Sequence, residues 1–274
     1  EFYKELELHS LIKKYTKLTP TVKTDFSFKV IENIFDLDDI LKPDSFITLE
    51  SFHTNYHLAK VLGFGIVNEL GNFYVPYDLL HQSLSFQLYL SDENINKNVY
   101  NVKMMRVCLK NDLYDIKGVN FDLLLAAYIL NPNNTKEDFK VIVNNFDYDD
   151  VSYQEEVYSK GAKHHIPEES VYQTYAVKKA YAIKELKENL YNQLKERNQL
   201  SLLEEMELPL ASILAEMEYN GIYVDQEKLQ SLNKEIGEQL EILTEEIYEL
   251  AGTEFNIASP KQLGVVLFDE LQLP

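Results

Sequence analysis

The sequence lacks the features of a disulfide-stapled, secreted or membrane-spanning chain. Cys108 is its single cysteine, which excludes an internal disulfide framework. No apolar run approaches the roughly 20 residues that span a bilayer, since even 121–130 is too short. The N-terminal residues do not combine a basic start, an apolar centre and a small-residue cleavage site. We therefore expect an intracellular protein with no membrane partner.

Basic residues are also scarce. The 274 residues include 26 Lys and Arg against 45 Asp and Glu, which gives a formal net charge of −19. Nonspecific binding along duplex DNA depends on cations that neutralise phosphates, so this balance excludes a general nucleic-acid coat. Any contact with DNA must be local. At 45% hydrophobic residues, the chain can still build one large domain, or a domain with a second lobe.

The first half of the chain has the pattern of an α/β domain. Three β-like runs separated by turn residues predict a three-strand meander at 46–50, 61–67 and 72–76. Apolar periodicity then predicts a helix, a short strand and two further helices, at 79–90, 98–102, 103–110 and 121–130. Strands followed by alternating helices are typical of a mixed sheet with flanking helices. The polar segment 131–167 predicts short helices joined by exposed loops.

The second half of the chain predicts helices only. Apolar residues at helical spacing predict long helices at 168–200, 202–219 and 225–250. Asp225 is a good N-cap for the last of these. Ser259 followed by Pro260 predicts one further helix start, because proline is favoured at the first helical position.

Three segments carry a family resemblance. They read GVNFDLLLAAYIL at 118–130, ELPLASILAEMEYNGIYVD at 207–225 and FNIASPKQLG at 255–264. In this order they resemble the core helix of the 3′–5′ exonuclease domain, the start of the polymerase domain and the DNA-facing thumb motif of bacterial A-family DNA polymerases of the polymerase I type. Residues 5–11 resemble the join after the family's 5′-nuclease domain, so the resemblance covers nearly the whole chain.

The resemblance implies a fold, a domain order and a role. Residues 1–24 correspond to a linker at the end of the upstream 5′-nuclease region. Residues 25–198 correspond to a ribonuclease H-like 3′–5′ exonuclease domain, and 199–274 to the first part of an all-helical thumb. The chain would then be a piece of a DNA-directed DNA polymerase that acts in DNA replication and repair in the bacterial cytoplasm, associated with the nucleoid.

The metal-binding positions of the family are altered in this sequence. In proofreading members, four carboxylates on three motifs hold two divalent metals. Aligned to the Asp-x-Glu strand motif, Leu49 stands at the aspartate and Ser51 at the glutamate. Met105 stands at the aspartate of the second motif. In the helical Tyr-x-x-x-Asp motif, Tyr175 is kept and Lys179 replaces the aspartate.

Hard cations require oxygen ligands, which leucine, methionine and lysine side chains do not supply. The resemblance therefore implies a vestigial exonuclease site with no catalytic residue and no bound metal. It is similar to Bacillus-like members of the family, whose exonuclease fold persists without proofreading.

Two other interpretations stay open at this point. An active metal-dependent 3′–5′ exonuclease with rearranged ligands would use Glu50 and other acids, although a lone glutamate at a strand end is more often a solvated edge charge. A non-enzymatic, acidic interaction module would use the fold without its chemistry. His164 and His165 are adjacent in sequence and lack the one-turn spacing of helical ligand pairs, so they do not predict a metal site.

The thumb-like segment carries the expected DNA contacts. The resemblance implies that Asn256, Ser259, Lys261 and Gln262 contact phosphates of the primer-template duplex. The other implied partners are the downstream palm and fingers of the same polymerase. Those parts would hold Mg²⁺, whereas no cofactor is expected in the present chain, which alone should not polymerise DNA.

An apolar seam is predicted on one face of the helix that Asp225 caps, because seven aliphatic residues follow one another at three- and four-residue steps. They are Leu229, Leu232, Ile236, Leu240, Leu243, Ile247 and Leu250. Such a seam needs a partner, which in the resembled family comes from later in the chain. The alternative is that 255–271 folds back and covers it.

Overall fold

The computed structural model describes residues 26–133 and 138–273. The segment 1–24, predicted as the end of an upstream region, lies outside the described residues, as do 134–137 in the polar segment. The chain divides into two compact units, with the boundary between Asn220 and Gly221. The first unit thus includes 199–220, and the assignment of those residues to a polymerase domain stays a prediction.

A six-stranded mixed sheet forms the centre of the first unit. Its strands are β1 (Lys29–Val30), β2 (Ser45–Phe52), β3 (Lys60–Asn68), β4 (Gly71–Pro76), β5 (Lys97–Val99) and β6 (Val119–Asp122). They are ordered β1-β4-β3-β2-β5-β6. The pairs β2–β3 and β3–β4 are antiparallel, and the other pairs are parallel. The predicted meander is β2-β3-β4, and the predicted α/β class with a mixed sheet is confirmed.

Helices cover both faces of this sheet. In the described part of the first unit the α-helices are α1 (Ile34–Ile40), α2 (Asp78–Gln82), α3 (Leu84–Ser91), α4 (Val102–Lys110), α5 (Leu123–Leu130), α6 (Phe139–Asn144), α7 (Gln154–Tyr158), α8 (Glu169–Glu196) and α9 (Leu208–Asn220), and a π-helical segment (Leu202–Glu207) precedes α9. One apolar cluster packs the helices α5, α6, α7 and α8 against one face of the sheet. A second apolar cluster packs the helices α1, α2, α3 and α4 against the opposite face. Neighbouring residues of a strand point to opposite faces, so they belong alternately to the two clusters.

Several elements differ from the sequence prediction. Segment 121–130 is the end of β6 followed by α5, because the Asp122 carboxylate accepts the first N–H groups of α5 and so fixes the helix start. The helix predicted at 79–90 is divided into α2 and α3 at Ser83, whose hydroxyl caps α3. Strand β1 and helix α1 have no counterpart among the predicted elements.

The second unit is helical. Its elements are α10 (Gln226–Ala251), α11 (Pro260–Gly264) and a π-helical segment (Val265–Glu270). Asp225 caps α10 through its side chain, Gly252 ends it with a φ of 71°, and Ser259 caps α11. These caps confirm the predicted helix starts. None of the helices in the described ranges is long and apolar enough to cross a membrane.

Helix α8 lies directly on the centre of the sheet. Thr48 Oγ1 donates a hydrogen bond of 2.8 Å to the backbone oxygen of Ala176. A Cβ atom placed on Gly65 would lie only 2.4 Å from the same oxygen, so this approach requires a residue without a side chain. The contact sets the rotation of α8 and directs the residues beside Ala176 towards β2.

Candidate functional site

A cavity of about 200 Å³ lies where β2, the start of α4 and the first half of α8 meet. Four of the five residues predicted for the vestigial site line it: Leu49 and Ser51 from β2, and Tyr175 and Lys179 from α8. The fifth, Met105, does not. Residues that are more than a hundred positions apart in the sequence are therefore brought together at one place in the fold.

A buried ion pair occupies this cavity. Lys179 Nζ lies 2.7 Å from Glu50 Oε2, and the two side chains are 12% and 2% exposed. Tyr158 donates its hydroxyl hydrogen to Glu50 Oε1 over 2.5 Å. The interpretation of Glu50 as a solvated edge charge is wrong, because β2 is an inner strand of the sheet and α8 covers this face.

The alternation of β2 determines which side chains face α8. Thr48 bonds to the α8 backbone and Glu50 contacts Lys179, so both point to that helix. Leu49 packs in the apolar cluster of the opposite face. Ser51 follows a break in the β2–β3 register after Glu50. The two β2 residues that face α8 are therefore Thr48 and Glu50, each one position before the aligned residues Leu49 and Ser51.

Helix α4 directs Met104, and not Met105, to the cavity. Met105 is fully buried in the cluster on the other face of the sheet, since one step along a helix turns the side chain by about 100°. Asn101 also lines the cavity and caps α4 by accepting the N–H of Met104. The buried Asp122 carboxylate accepts the N–H groups of Asn101 and Val102 at 3.0 and 2.7 Å. Asp122 thus fixes the start of α4.

The ammonium group of Lys179 also contacts an aromatic ring and affects the pKa of a neighbouring histidine. Its Nζ lies 4.5 Å from the centre of the Tyr175 ring. Burial and the Glu50 carboxylate raise the pKa of both Tyr158 and Tyr175, which keeps their hydroxyls protonated. The pKa of His53, which also lines the cavity, is lowered by burial and by the charge of Lys179.

The residues present do not fit two divalent cations. Within 26–133 and 138–273, no three His, Cys, Asp or Glu side chains lie close enough to hold a metal ion. Asp138 lines the cavity, but its carboxylate caps α6 and also accepts the N–H of Gln154. His164 stacks on Phe52, with ring centroids 4.3 Å apart. The single carboxylate that faces α8 from β2 is already neutralised by lysine.

A second polar cluster, which sequence analysis did not identify, joins α4 to α9. Lys103 Nζ lies 2.6 Å from Glu218 Oε1, and Tyr56 donates a hydrogen bond of 2.5 Å to Glu218 Oε2. Lys110 Nζ lies 2.6 Å from Glu216 Oε1. Burial alone would raise the pKa of Glu218, but the hydrogen bonds from Lys103 and Tyr56 lower it overall. The only sequence signal was the two-turn spacing of the lysines.

In the second unit, the four predicted DNA-contact residues lie around the start of α11. Asn256 Oδ1 accepts the N–H of Ala258 at 3.0 Å, and Gln262 Oε1 accepts the N–H of Asn256 at 2.8 Å. Ser259 caps the helix through the N–H of Gln262. Lys261 is exposed. Three of these side chains therefore shape the turn, and Lys261 carries a charge at the surface.

The apolar seam of α10 is exposed to solvent. Six of its seven residues are between 46% and 80% exposed, and Ile247 is half-buried. No residue of α10, all of which the structure describes, is buried. Segment 255–271 therefore does not cover the seam.

Comparison with known families gives two matches along the chain. Residues 47–186 match the family model of the ribonuclease H-like domain of DNA polymerase I. Residues 226–274 match the model of DNA polymerase family A. The first match includes every residue of the cavity that sequence analysis predicted, and the second includes α10 and α11.

Individual relatives agree with these matches. DNA polymerase I of Bacillus subtilis is 38% identical over 99% of this chain, and that of Geobacillus stearothermophilus is 42% identical over 86%. This chain covers 31% and 27% of those two proteins, which is less than a third of their length. Among solved structures, the polymerase domain of Pol1 from M. smegmatis, in complex with a DNA primer-template and dNTP, has a TM-score of 0.68. It is 27% identical over 90% of this chain and 41% of that one.

Proposed function

Because the chain belongs to the DNA polymerase I family and comprises its exonuclease region and the start of its polymerase domain, we propose that the exonuclease-like domain is catalytically inactive and supports the polymerase structurally. The family resemblance and the ribonuclease H-like fold predicted from the sequence are confirmed. The parent protein would be a DNA-directed DNA polymerase of replication and repair, whose Mg²⁺ binds outside this chain.

The observation that carries this proposal is the ion pair between Lys179 and Glu50. Catalytic divalent metals in such sites need several oxygen ligands. Here an ammonium group 2.7 Å from the carboxylate takes the place that a metal would need, and the two charges cancel. A metal ion would have to displace this lysine into a covered cavity, where the displaced charge would have no partner.

We further propose that the family's Asp-x-Glu positions correspond to Thr48 and Glu50. Two ligands separated by one strand residue must share a face, and the face that meets α8 carries Thr48 and Glu50. Under this register the chain retains one carboxylate of the metal site, and Lys179 neutralises it. The register with Leu49 and Ser51 would require a metal ligand in the opposite apolar cluster.

The purified 274-residue chain is expected not to degrade single-stranded DNA with either Mg²⁺ or Mn²⁺, because its site does not supply the oxygen ligands. The measurement is the length of a 5′-labelled oligonucleotide over time, with a proofreading A-family polymerase as positive control. Stepwise loss from the 3′ end that EDTA abolishes would contradict the proposal. So would two Mn²⁺ ions about 3.5–4 Å apart at the cavity after soaking.

Metal binding should return only when several ligands are restored on the correct face. The first test variant keeps Glu50 and carries Thr48→Asp, Met104→Asp and Lys179→Asp. Its matched control carries the other register, Leu49→Asp, Ser51→Glu, Met105→Asp and Lys179→Asp. We expect Mn²⁺ binding by calorimetry in the first variant and in none of its single substitutions.

The control variant is expected to lose its fold, because two of its new carboxylates enter the apolar core at a cost of about 1–3 kcal/mol or more each. Equal Mn²⁺ affinity in both combined variants would show that the proposed register is wrong.

We propose that Asn256, Ser259, Lys261 and Gln262 contact the phosphates of a primer-template duplex. The primer-template bound in the M. smegmatis relative supports this proposal. In the parent polymerase, Lys261→Gln should weaken primer-template binding and reduce the salt dependence by about one counterion. Lys234→Gln on α10 is the matched control, since that lysine is also exposed. Equal salt slopes for Lys261→Gln and wild type would contradict this role.

The remaining partners in this proposal are the palm and fingers of the same polymerase. Since the parent acts on DNA, we place it in the bacterial cytoplasm near the nucleoid. Both statements rest on family membership and on the chain's coverage of less than a third of the length of these relatives.

A further inference from the structure

A groove runs along the edge strand of the sheet, away from the cavity that holds Lys179. In the described part of the chain, β6 pairs with β5 alone. Four consecutive residues, 117–120, line a cavity of about 540 Å³ beside β6. A second cavity, of about 470 Å³, shares Asn120 and Glu204 with the first. The two cavities therefore meet at Asn120 and form one groove.

The backbone of β6 is open to this groove. The N–H of Lys97 donates to the C=O of Gly118, so Gly118 directs its carbonyl to β5. Successive residues of a strand direct their backbone groups to opposite edges, and Val119 therefore directs its N–H and C=O outward. Within the described ranges, no turn, loop or helix cap makes a backbone hydrogen bond to Val119. A free strand edge of this kind is a template for another extended segment.

Two residues that line the groove each have a buried polar atom without a hydrogen-bond partner within the described ranges. These atoms are Arg106 Nε, a donor, and Asn120 Oδ1, an acceptor. Arg106 is 9% exposed, and its Nη2 lies 2.7 Å from Asp115, which fixes the guanidinium in place. Asn120 is skipped in the pairing of β5 with β6, and such a bulge re-aims a side chain. Buried polar groups are normally hydrogen-bonded, so this donor and acceptor indicate a ligand that offers the complementary groups.

The lining also defines the charge of that ligand. Glu93 and Glu204 oppose Arg106 and Lys117, so the charges of the first cavity balance. Apolar walls are contributed by Val102, Ile116, Leu208 and Pro209. A balanced lining with apolar walls favours an uncharged occupant over a nucleic acid or another polyanion. A peptide group offers both a C=O and an N–H, and extended peptides bind free strand edges.

We propose that this groove binds an extended, uncharged peptide segment, which adds to the sheet as a strand beside β6. Val119 exchanges backbone hydrogen bonds with the peptide. Asn120 Oδ1 accepts a peptide N–H, and Arg106 Nε donates to a peptide C=O. Side chains on one face of the peptide pack against the apolar walls.

The probe is the peptide acetyl-Thr-Val-Thr-Val-Thr-amide, whose β-branched residues favour an extended chain. It is titrated into the 274-residue protein while backbone amide NMR signals are followed. We expect a shift of the Val119 amide signal and slower hydrogen exchange at that amide. The matched control is the same peptide with N-methyl groups on all five residues, which removes the donors on both edges. It should bind at least about tenfold more weakly.

A protein variant tests the side-chain contact. Asn120→Leu should weaken binding of the unmethylated peptide by about tenfold, while Asn145→Leu, at the exposed end of α6, should leave it unchanged. Circular dichroism checks that both variants fold. The proposal is overturned if the peptide does not perturb the Val119 amide, or if the N-methylated peptide binds as well. Thymidine, an uncharged nucleoside, tests for a different class of occupant. If thymidine but not the peptide shifts the amide signals of residues that line the groove, the proposal is also overturned.

Discussion

Lys179→Met is expected to destabilise the exonuclease-like domain by about 3–5 kcal/mol. The substitution keeps most of the volume of the lysine stem but removes the charge that faces Glu50. The Glu50 side chain is 2% exposed, so its carboxylate would lie in a covered site with Tyr158 as its remaining close partner. The measurement is the urea midpoint of unfolding, followed by far-UV circular dichroism.

Two controls separate the ion pair from the loss of any lysine. Lys178→Met removes the neighbouring lysine, whose partner Asp150 is 45% exposed, and is expected to cost less than about 1 kcal/mol. Glu50→Gln combined with Lys179→Met removes both charges and should recover much of the loss, because no uncompensated charge is then buried. An unfolding midpoint of Lys179→Met equal to that of the wild type would refute the account of the site.

Much of the fold was predictable because its strong signals are local. The meander β2-β3-β4 and the long helices α8 and α10 follow from periodicity and caps that occur within a few residues of each element. Strand β6 was missed because its residues run directly into the apolar sequence of α5. Asp122 divides the two by capping α5, and its carboxylate also accepts N–H groups of a helix start about twenty residues earlier in the chain. Single-sequence periodicity does not contain that contact.

The elements that line the candidate site were predictable, but the face of β2 that meets α8 was not. Sequence comparison brought β2, α4 and α8 to one cavity, as the structure does. A shift of one residue on a strand moves a side chain to the opposite face, and in the structure Thr48 faces α8 whereas Leu49 packs on the other side of the sheet. The role of Glu50 depended on Lys179, a residue 129 positions later, which no local pattern could assign.

The cluster between α4 and α9 supports the proposed structural role. Two lysines of α4 pair with Glu216 and Glu218 near the end of α9. These glutamates are 47% and 28% exposed, so each pair contributes about 1 kcal/mol or less. Burial of Leu208, Ala211 and Ala215 on the same helix adds to the contact. An inactive exonuclease fold would thus be kept because it fixes the helix that precedes the polymerase segment.

The second large effect concerns the apolar seam of α10. Leu240→Asp is expected to leave the thermal stability of the isolated chain nearly unchanged, because Leu240 is 57% exposed. It should nevertheless abolish association through the seam. Six exposed aliphatic residues leave on the order of several hundred Å² of apolar surface in water, which soluble monomers rarely tolerate. The 274-residue chain is therefore expected either to self-associate or to bind the downstream polymerase segment supplied in trans.

Ser231→Asp is the matched control for this variant. It adds the same charge to an exposed position on the opposite side of α10, because nine residues correspond to two and a half helical turns. Sedimentation velocity over a range of concentrations measures self-association, and calorimetry with the downstream segment measures binding in trans. We expect Ser231→Asp to behave as the wild type in both measurements and Leu240→Asp to lose the interaction. A wild-type chain that stays monomeric at high concentration, together with unchanged binding of the downstream segment by Leu240→Asp, would exclude the seam as an interface.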